Sequence, residues 1–273
     1  MKFQIIADSA SDLQNDYLSG HSVGFQVIPM TIRVGSQEFL DDETLQTEEM
    51  LRQLHSRREK SATACPPPEV FEQEFQKADY TFVVTLTQKL SGTFNSARVA
   101  AQNHPNVFVV DSKAVSGVEI LLVDKLTELI EQGLSFEEIC RKITEYRDQC
   151  SLYFILHKFD NLIANGRMSR VAGLVAKTLI IRPLCVAEDG EIKVLEKVVG
   201  VSRVYKKLLL KFAELTVPEE RRVIISHCNA PDEAKEFQKA LAETAKFKEI
   251  RILPMRGLCS YYALEKGMIF CVD

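Results

Sequence analysis

The 273-residue sequence has no apolar run near the roughly 18 residues that a membrane-spanning helix needs. Its first residues, MKFQIIADSASDL, also lack the apolar core and cleavage site of a signal peptide. The seven cysteines are odd in number, scattered and without a C-x-x-C pair, which indicates neither a disulfide framework nor a zinc cluster. These absences predict a cytoplasmic protein with reduced cysteines, no metal and no membrane span.

The sequence also lacks a net positive charge and recognisable catalytic motifs. The net charge is −4, so the chain has no overall positive field with which to hold nucleic acid. No H-E-x-x-H, G-x-S-x-G or nucleotide-binding fingerprint occurs, which favours a protein without cofactor or catalysis. A basic excess is local: Lys158 to Lys211 holds eleven Lys and Arg against five acidic residues. This segment indicates an acidic partner or a phosphate-bearing group, or only a solvated helix face.

In the first half of the chain, short apolar runs alternate with helical patterns. Phe3–Ala7, Tyr80–Thr87 and Val107–Ser112 are predicted strands, and Val23–Val34 is predicted to be extended. Asp41–Arg57 begins with acidic and ends with basic residues, which is the charge polarity that a helix favours. The alternation predicts an α/β fold with a parallel sheet.

The second half mixes helical patterns with a β-hairpin. The hairpin is predicted over residues 180–198, with its turn at Asp189-Gly190. Helical patterns cover residues 159–179, with a turn at Asn165-Gly166, and residues 201–215 and 231–244. Strands are predicted over 223–227, 249–255 and 268–272. This pattern predicts a second α/β domain with a mixed sheet. We place the boundary near residue 150, which gives domains 1–150 and 151–273.

The sharpest local feature is Leu90–Ala97, with the sequence LSGTFNSA, which follows a predicted strand. A turn rich in hydroxyls and glycine at a helix N-terminus presents free N–H groups and side-chain hydroxyls. Such a turn can bind phosphate, sulfate or carboxylate. Ser91 or Thr93 can instead merely cap the helix, and the fragment alone favours capping because N-caps are common.

Two further segments carry polar side chains at positions where ligands could bind. Thr63 precedes three prolines that hold the backbone extended, and taken alone this favours a rigid connection with an exposed threonine. Asp8 and Ser9 follow the first strand, at the edge of a parallel sheet where ligands gather. They can equally cap a helix, and the two roles are compatible.

Several stretches together resemble the DegV family of bacterial fatty-acid-binding proteins. They are IIADSASDL, VIPMTIRVGSQEFLDD, the segment from Thr63 to Pro68, LSGTFNSA, VVDSKAVSG, NGRMSRVAGLVAKTLIIRPL and DGEIKVLEKVVG, in the family's order and spacing. The resemblance implies an N-terminal three-layer α/β/α domain with a mainly parallel sheet and a C-terminal domain with a mixed sheet. It also implies that one long-chain fatty acid lies between the two domains.

The resemblance further implies a role and a set of site residues. Such proteins are non-catalytic subunits in phospholipid metabolism, which present the acyl carboxylate to a separate fatty acid kinase subunit that makes acyl-phosphate from ATP. The family's carboxylate ligands correspond to Thr63 and Ser91, with the backbone around Gly92 and Thr93 nearby. Arg167, in the N-G-R turn, is expected near the carboxylate or the kinase interface. A carboxylate is the anion that the Ser-Gly-Thr turn would hold, so the resemblance favours an anion site there.

The sequence departs from the family near its C-terminus. The family usually has a Gly-Thr-His-x-Gly-Pro-Gly turn whose histidine helps hold the carboxylate, and Met255 stands about where that histidine is expected. Val199 stands where an arginine is expected, and Arg256 is a candidate replacement charge. Two alternatives therefore remain: a divergent member that binds another amphiphile or regulatory ligand without kinase coupling, and an enzyme of the dihydroxyacetone-kinase type, whose fold the family resembles.

Overall fold

The computed structural model describes residues 1–56, 60–168 and 181–273, and within them the strands form three sheets. The strands are β1 (Phe3–Asp8), β2 (Gly24–Ile28), β3 (Thr31–Val34), β4 (Gln37–Leu40), β5 (Ser61–Ala64), β6 (Tyr80–Thr85), β7 (Val107–Asp111), β8 (Ser151–Ile155), β9 (Ile181–Glu188), β10 (Glu191–Val199), β11 (Arg222–His227), β12 (Glu249–Pro254) and β13 (Met268–Val272). The sheet orders are β2-β1-β6-β7, β10-β9-β8-β13-β11-β12 and β4-β3-β5.

The helices surround and separate these sheets. They are α1 (Thr47–Ser56), α2 (Pro68–Phe75), α3 (Thr93–Ala100), α4 (Gly117–Glu131), α5 (Phe136–Arg147), α6 (Asp160–Ala164), α7 (Val201–Ala213), α8 (Pro231–Thr244) and α9 (Gly257–Ala263). Short 3₁₀ turns cover Ser9–Ser11, Ala101–Asn103 and Pro218–Glu220. No helix in the described parts of the chain is both long and apolar enough to cross a membrane.

All neighbouring strands of the four-stranded sheet are parallel, as the alternating pattern predicted. Successive side chains point to opposite faces, so each strand packs on two layers. On one face, Ile6 and Val83 pack with Phe71 of α2. On the other face, Ile5 and Phe82 belong to the main core, which includes α4. The α/β prediction with a parallel N-terminal sheet is confirmed.

The six-stranded sheet is mixed, which confirms the second part of the prediction. Strands β11 and β12 are parallel, and the other neighbouring strands pair antiparallel. Helices α7 and α8 cover one face through a cluster that includes Leu208, Phe237 and Ile225. Helix α4 contacts the other face. A Cβ on Gly117 would lie 2.9 Å from side chains of Cys271 and Ile224, so the glycine permits this close approach.

The hairpin β9–β10 turns at Asp189-Gly190, as predicted. Both turn residues have positive φ, 49° and 82°, which suits the tight hairpin turns that match strand twist. A Cβ on Gly190 would collide with the Thr87 hydroxyl, because the hairpin tip packs directly on the loop after β6. The hairpin thereby joins the C-terminal sheet to the carboxyl edge of the N-terminal sheet.

Three elements differ from the sequence prediction. Strands β4 and β5 were not predicted, and they flank β3 in a small antiparallel sheet. Helix α1 begins at Thr47 rather than at Asp41, because the carboxylates of Asp41 and Asp42 are used elsewhere: Asp41 accepts from Leu258 N–H (2.8 Å) and Asp42 from Thr44 N–H (2.8 Å). The segment 159–179 agrees with the prediction as far as it is described: α6 covers Asp160–Ala164 and the predicted turn follows at Asn165-Gly166, whereas residues 169–180 lie outside the described residues.

Candidate ligand-binding site

A cavity lies where the carboxyl ends of the parallel strands face the six-stranded sheet. Ala10, Leu86 and Ala114 line it from the loops after β1, β6 and β7. Leu152 and Phe154 line it from alternate positions of β8, so both project from the same face of that strand. Loops at the carboxyl ends of parallel strands are the usual ligand site of open α/β sheets. The cavity is therefore where sheet topology alone would place a ligand.

The wall of the cavity is mostly apolar. Hydrocarbon side chains from the residue after β8 and from α9, β10 and β13 form much of it, represented by Leu156, Leu258, Ile192 and Ile269. Together with the open space at its mouth, the cavity region spans about 830 Å³. A mostly apolar lining with a few polar side chains suits a ligand that has a hydrocarbon chain.

Polar side chains in the lining form a connected group. They are Thr63, Thr87, Ser91, Arg167 and Tyr262. The Thr63 and Tyr262 hydroxyls are 2.9 Å apart, and Arg167 Nε donates to the Leu90 carbonyl (3.0 Å), next to Ser91. The positive charge of Arg167 also acts on the Tyr262 phenol. The wall of an otherwise apolar cavity thus carries several hydroxyls and a guanidinium.

Ser91 lines the cavity and also bonds to the start of α3. Its Oγ accepts from Thr93 N–H (3.3 Å) and lies 2.9 Å from the Thr93 hydroxyl. Gly92 is the N-cap residue of α3, and Thr93 is fully buried against the Met30 sulfur. Neither Gly92 nor Thr93 is part of the cavity wall.

The backbone holds both Thr63 and Arg167 in place. Thr63 lies in β5, opposite Ile32 of β3, so strand pairing fixes its position. Arg167 follows the turn after α6, where its N–H donates to the Leu162 carbonyl (2.8 Å). Its Nη1 donates to the Asn165 carbonyl. Both side chains are therefore held by local backbone bonds before any ligand binds.

Met255 and Arg256 lie behind α9 and are not part of the cavity wall. Met255 is buried, and its N–H donates to the His227 carbonyl (2.8 Å). The guanidinium of Arg256 donates to the carbonyls of Leu13 and Asp42. The structure thus brings Thr63, Ser91 and Arg167 together and does not bring Met255 or Arg256 to them.

Sequence reasoning missed Tyr262. This residue lies in α9, 199 positions from Thr63 along the chain. Two buried carboxylates orient the helix: Asp41 accepts from the Gly257 (3.0 Å) and Leu258 (2.8 Å) N–H groups, and Asp12 accepts from the Arg256 N–H (2.7 Å). These bonds satisfy N–H groups that a helix start leaves unpaired. The only local signal was a Tyr-Tyr pair on a short helical segment.

A group of buried acids lies behind the cavity floor formed by Ala10 and Cys259. Burial raises the pKa of Asp8 and that of Asp12 each to about 7, despite the hydrogen bonds that they accept. Burial is the main cause that raises the pKa of Glu119 well above its usual value, and the negative charges of Asp8 and Asp12 raise it further. No three acidic, histidine or cysteine side chains in the described residues are arranged to hold a metal ion. This group is therefore a proton-bearing part of the core.

The cavity thiol is unreactive by the same reasoning. Cys259 lines the cavity, and its thiol donates to the Ala10 carbonyl (3.3 Å). Burial raises its pKa well above the usual value, and the acids Asp12, Glu119 and Asp41 raise it further. Because the thiolate is the nucleophile, a thiol held neutral in this way does no nucleophilic chemistry. It contributes a small apolar surface to the wall.

Fold and site together define an α/β protein with a mostly apolar cavity whose wall also carries hydroxyls and a guanidinium. The chain belongs to the DegV family: the family model described as "Uncharacterised protein, DegV family" matches residues 2–269. A DegV domain-containing protein of Streptococcus pneumoniae is 36% identical over 278 residues, which is 98% of each chain. The family resemblance seen in the sequence is confirmed.

Solved structures of relatives have the same fold. The Streptococcus pneumoniae Fatty Acid Kinase B3 protein, loaded with linoleic acid, superimposes with a TM-score of 0.93 at 35% identity, covering 100% of this chain and 99% of that one. A DegV family protein of Eubacterium eligens, loaded with heptadecanoic acid, gives a TM-score of 0.92 at 30% identity, with 99% of each chain covered. These relatives are fatty-acid-binding proteins.

Proposed function

We propose that this protein binds one long-chain fatty acid in the cavity, between domains 1–150 and 151–273. The hydrocarbon tail lies along the apolar wall, and the carboxylate is held by the hydroxyls of Thr63 and Ser91 with Arg167 nearby. The observation that carries the proposal is a mostly apolar cavity whose lining also carries hydroxyls and a guanidinium, among them the Thr63–Tyr262 pair and Arg167 beside the Leu90 carbonyl. The fatty acids in the two solved relatives support it.

The hydrocarbon tail and the carboxylate contribute differently to binding. Each buried methylene contributes about 0.8 kcal/mol, so a chain of about a dozen methylenes gives on the order of 10 kcal/mol before association costs. The polar end then fixes the orientation of the ligand, since a few placed polar groups give such sites their specificity. The tail supplies affinity, and the Thr63 end supplies direction.

We further propose that the protein is not itself an enzyme. It would present the carboxylate to a separate fatty acid kinase subunit, which makes acyl-phosphate from ATP and requires a cytoplasmic location. The name of the relative from Streptococcus pneumoniae supports this role. Burial of the only thiol in the described cavity wall, which keeps it protonated, also fits a carrier.

The headgroup assignment predicts a defect in ligand retention. Protein with both Thr63→Ala and Ser91→Ala, purified from a bacterial host, should carry less fatty acid than the wild type, measured by mass spectrometry of an organic extract. Loss of two hydrogen bonds to a charged group predicts at least a tenfold lower affinity. The control changes two exposed helical hydroxyls, with Ser202→Ala and Thr244→Ala. Equal occupancy in both double variants would refute the assignment.

Kinase coupling predicts that bound fatty acid becomes acyl-phosphate when ATP and a bacterial fatty acid kinase catalytic subunit are added. The product is measured by hydroxylamine trapping, with a reaction lacking the catalytic subunit as control. The departures at Met255 and Val199 favour a second candidate, a member that binds an amphiphile without kinase coupling, since Val199 is exposed on β10 and Met255 is buried outside the described cavity wall. Retention of fatty acid with no acyl-phosphate would select this second candidate.

A further inference from the structure

Two adjacent tyrosines of α9 differ in what their hydroxyls contact. Tyr261 is fully buried, and its hydroxyl lies 2.7 Å from Ser61 Oγ and accepts from Asn165 Nδ2 (2.9 Å). Tyr262 lines the cavity instead, and its hydroxyl meets Thr63 Oγ1 at 2.9 Å. Tyr261 therefore ties α9 to its neighbours, whereas Tyr262 faces the space in which a ligand would lie.

The hydroxyls of Thr63 and Tyr262 together have one proton that their mutual hydrogen bond does not use, and this proton is available to the ligand. Thr63 and Tyr262 each carry one hydroxyl proton, and one proton suffices for the hydrogen bond between them. The second proton is free to turn toward the cavity. A carboxylate has two oxygens that can accept several hydrogen bonds, so an anion beside this pair can take one from each hydroxyl.

The electrostatic setting keeps Tyr262 a donor. Burial raises the pKa of its phenol, while Thr63 and the positive charge of Arg167 act in the opposite direction. The net shift is upward, so the phenol keeps its proton at neutral pH. A neutral phenol beside a guanidinium is suited to an anion, because the phenol can donate and the guanidinium supplies charge.

The helix that carries Tyr262 is held in place before any ligand arrives. Asp41 accepts from two N–H groups at the start of α9, and Asp12 accepts from the N–H of the preceding residue, Arg256. The edge-to-face contact with Tyr261, at 4.8 Å between ring centroids, limits rotation of the Tyr262 ring. A donor fixed in this way loses little freedom on binding.

We propose that Tyr262 is a direct ligand of the bound carboxylate, to which its hydroxyl donates a hydrogen bond alongside Thr63. This rests on the proposed function, because it requires a fatty acid with its carboxylate at this end of the cavity. It adds a ligand from α9 to those from β5 and the loop before α3, and gives a role to the one tyrosine of the described cavity lining.

The test compares two ligands that differ only in the headgroup. Delipidated wild-type protein and Tyr262→Phe are titrated with radiolabelled oleate and with radiolabelled oleyl alcohol. The variant should bind oleate about tenfold more weakly, since one hydrogen bond to a charged group is lost, and should bind oleyl alcohol with less than a twofold change. The carboxyl resonance of bound [1-¹³C]oleate should also shift in Tyr262→Phe.

Tyr261→Phe is the matched control, because it removes one hydroxyl from the same helix outside the cavity. It should lower thermal stability and leave both affinities and the carboxyl resonance unchanged. Equal losses for oleate and oleyl alcohol in Tyr262→Phe, or no loss for either, would overturn the role of Tyr262. Wild-type protein that binds neither compound would contradict the proposed function itself, and the Tyr262 proposal with it.

Discussion

Glu119 is the side chain whose chemistry is most constrained by its surroundings. It is fully buried, and no donor from the described residues reaches either of its carboxyl oxygens. Asp8, by contrast, accepts from the Ala10 and Leu86 N–H groups, each at 2.9 Å. A buried carboxylate without donors is very costly, so burial and the nearby charges of Asp8 and Asp12 favour the protonated form of Glu119, which is then able to donate a hydrogen bond toward Asp8.

This assignment predicts how Glu119→Gln changes stability with pH. The pKa of Glu119 is raised on folding, so its contribution is complete below the unfolded pKa and is lost as pH rises toward the folded pKa. Each linked proton costs about 1.4 kcal/mol of the free energy of unfolding per pH unit in that range. Gln needs no proton and can still donate to Asp8. The variant should therefore gain stability relative to wild type between pH 5.5 and pH 7.5, measured by urea unfolding.

Glu119→Leu serves as the control for the hydrogen bond to Asp8. It should show the same relief from pH dependence but be less stable than Glu119→Gln by about 1–3 kcal/mol, because it offers Asp8 no donor. The carboxyl groups of Asp8 and Asp12 are present in all three proteins, and because they titrate together with Glu119, the comparison reports on this buried acid group as a whole. A difference between Glu119→Gln and wild type that stays constant over this range would mean that Glu119 is ionised in the folded protein.

At the scale of elements, local pattern predicted what local interactions build. The parallel strands β1, β6 and β7 and the hairpin turn at Asp189-Gly190 follow from short-range apolar runs and turn chemistry. Strand β5 does not follow from such local signals. Its sequence, SATA, has little apolar character and forms a strand only through its pairing with β3. Helix α1 begins later in the chain than predicted, because the Asp41 carboxylate accepts hydrogen bonds from N–H groups of α9, more than 200 residues away.

The residues of the candidate site show the same contrast between local signals and long-range contacts. The residues alone favoured a cap at Ser91 and an exposed turn at Thr63, and only the family resemblance favoured binding roles for them. Thr63 lines the cavity because β5 pairs with β3 and meets α9, and Tyr262 completes that contact from the far end of the chain. Such long-range contacts have no signal in any short window of sequence, so Tyr262 could not be found from it.

At the scale of the molecule, one helix and one cavity join the two halves of the chain. Helix α4 packs against both larger sheets, which is why it is buried nearly all round and shows little of the one-sided pattern of a surface helix. The cavity beside it takes its wall from residues on both sides of residue 150. A ligand there contacts both halves at once and replaces empty apolar space with packed atoms.

Removal of the ligand should therefore lower the stability of the whole molecule. A ligand that binds only the folded state adds about 2.7 kcal/mol at a hundredfold excess over its Kd, which for a chain of this size raises Tm by about 5 °C or more. Delipidated protein, followed by circular dichroism during heating, should regain this shift when oleate is added. The variant with Thr63→Ala and Ser91→Ala should regain less at the same oleate concentration, because its affinity is lower. The variant with Ser202→Ala and Thr244→Ala should regain the full shift. An identical Tm for delipidated wild-type protein with and without oleate would show that the cavity does not receive the fatty acid.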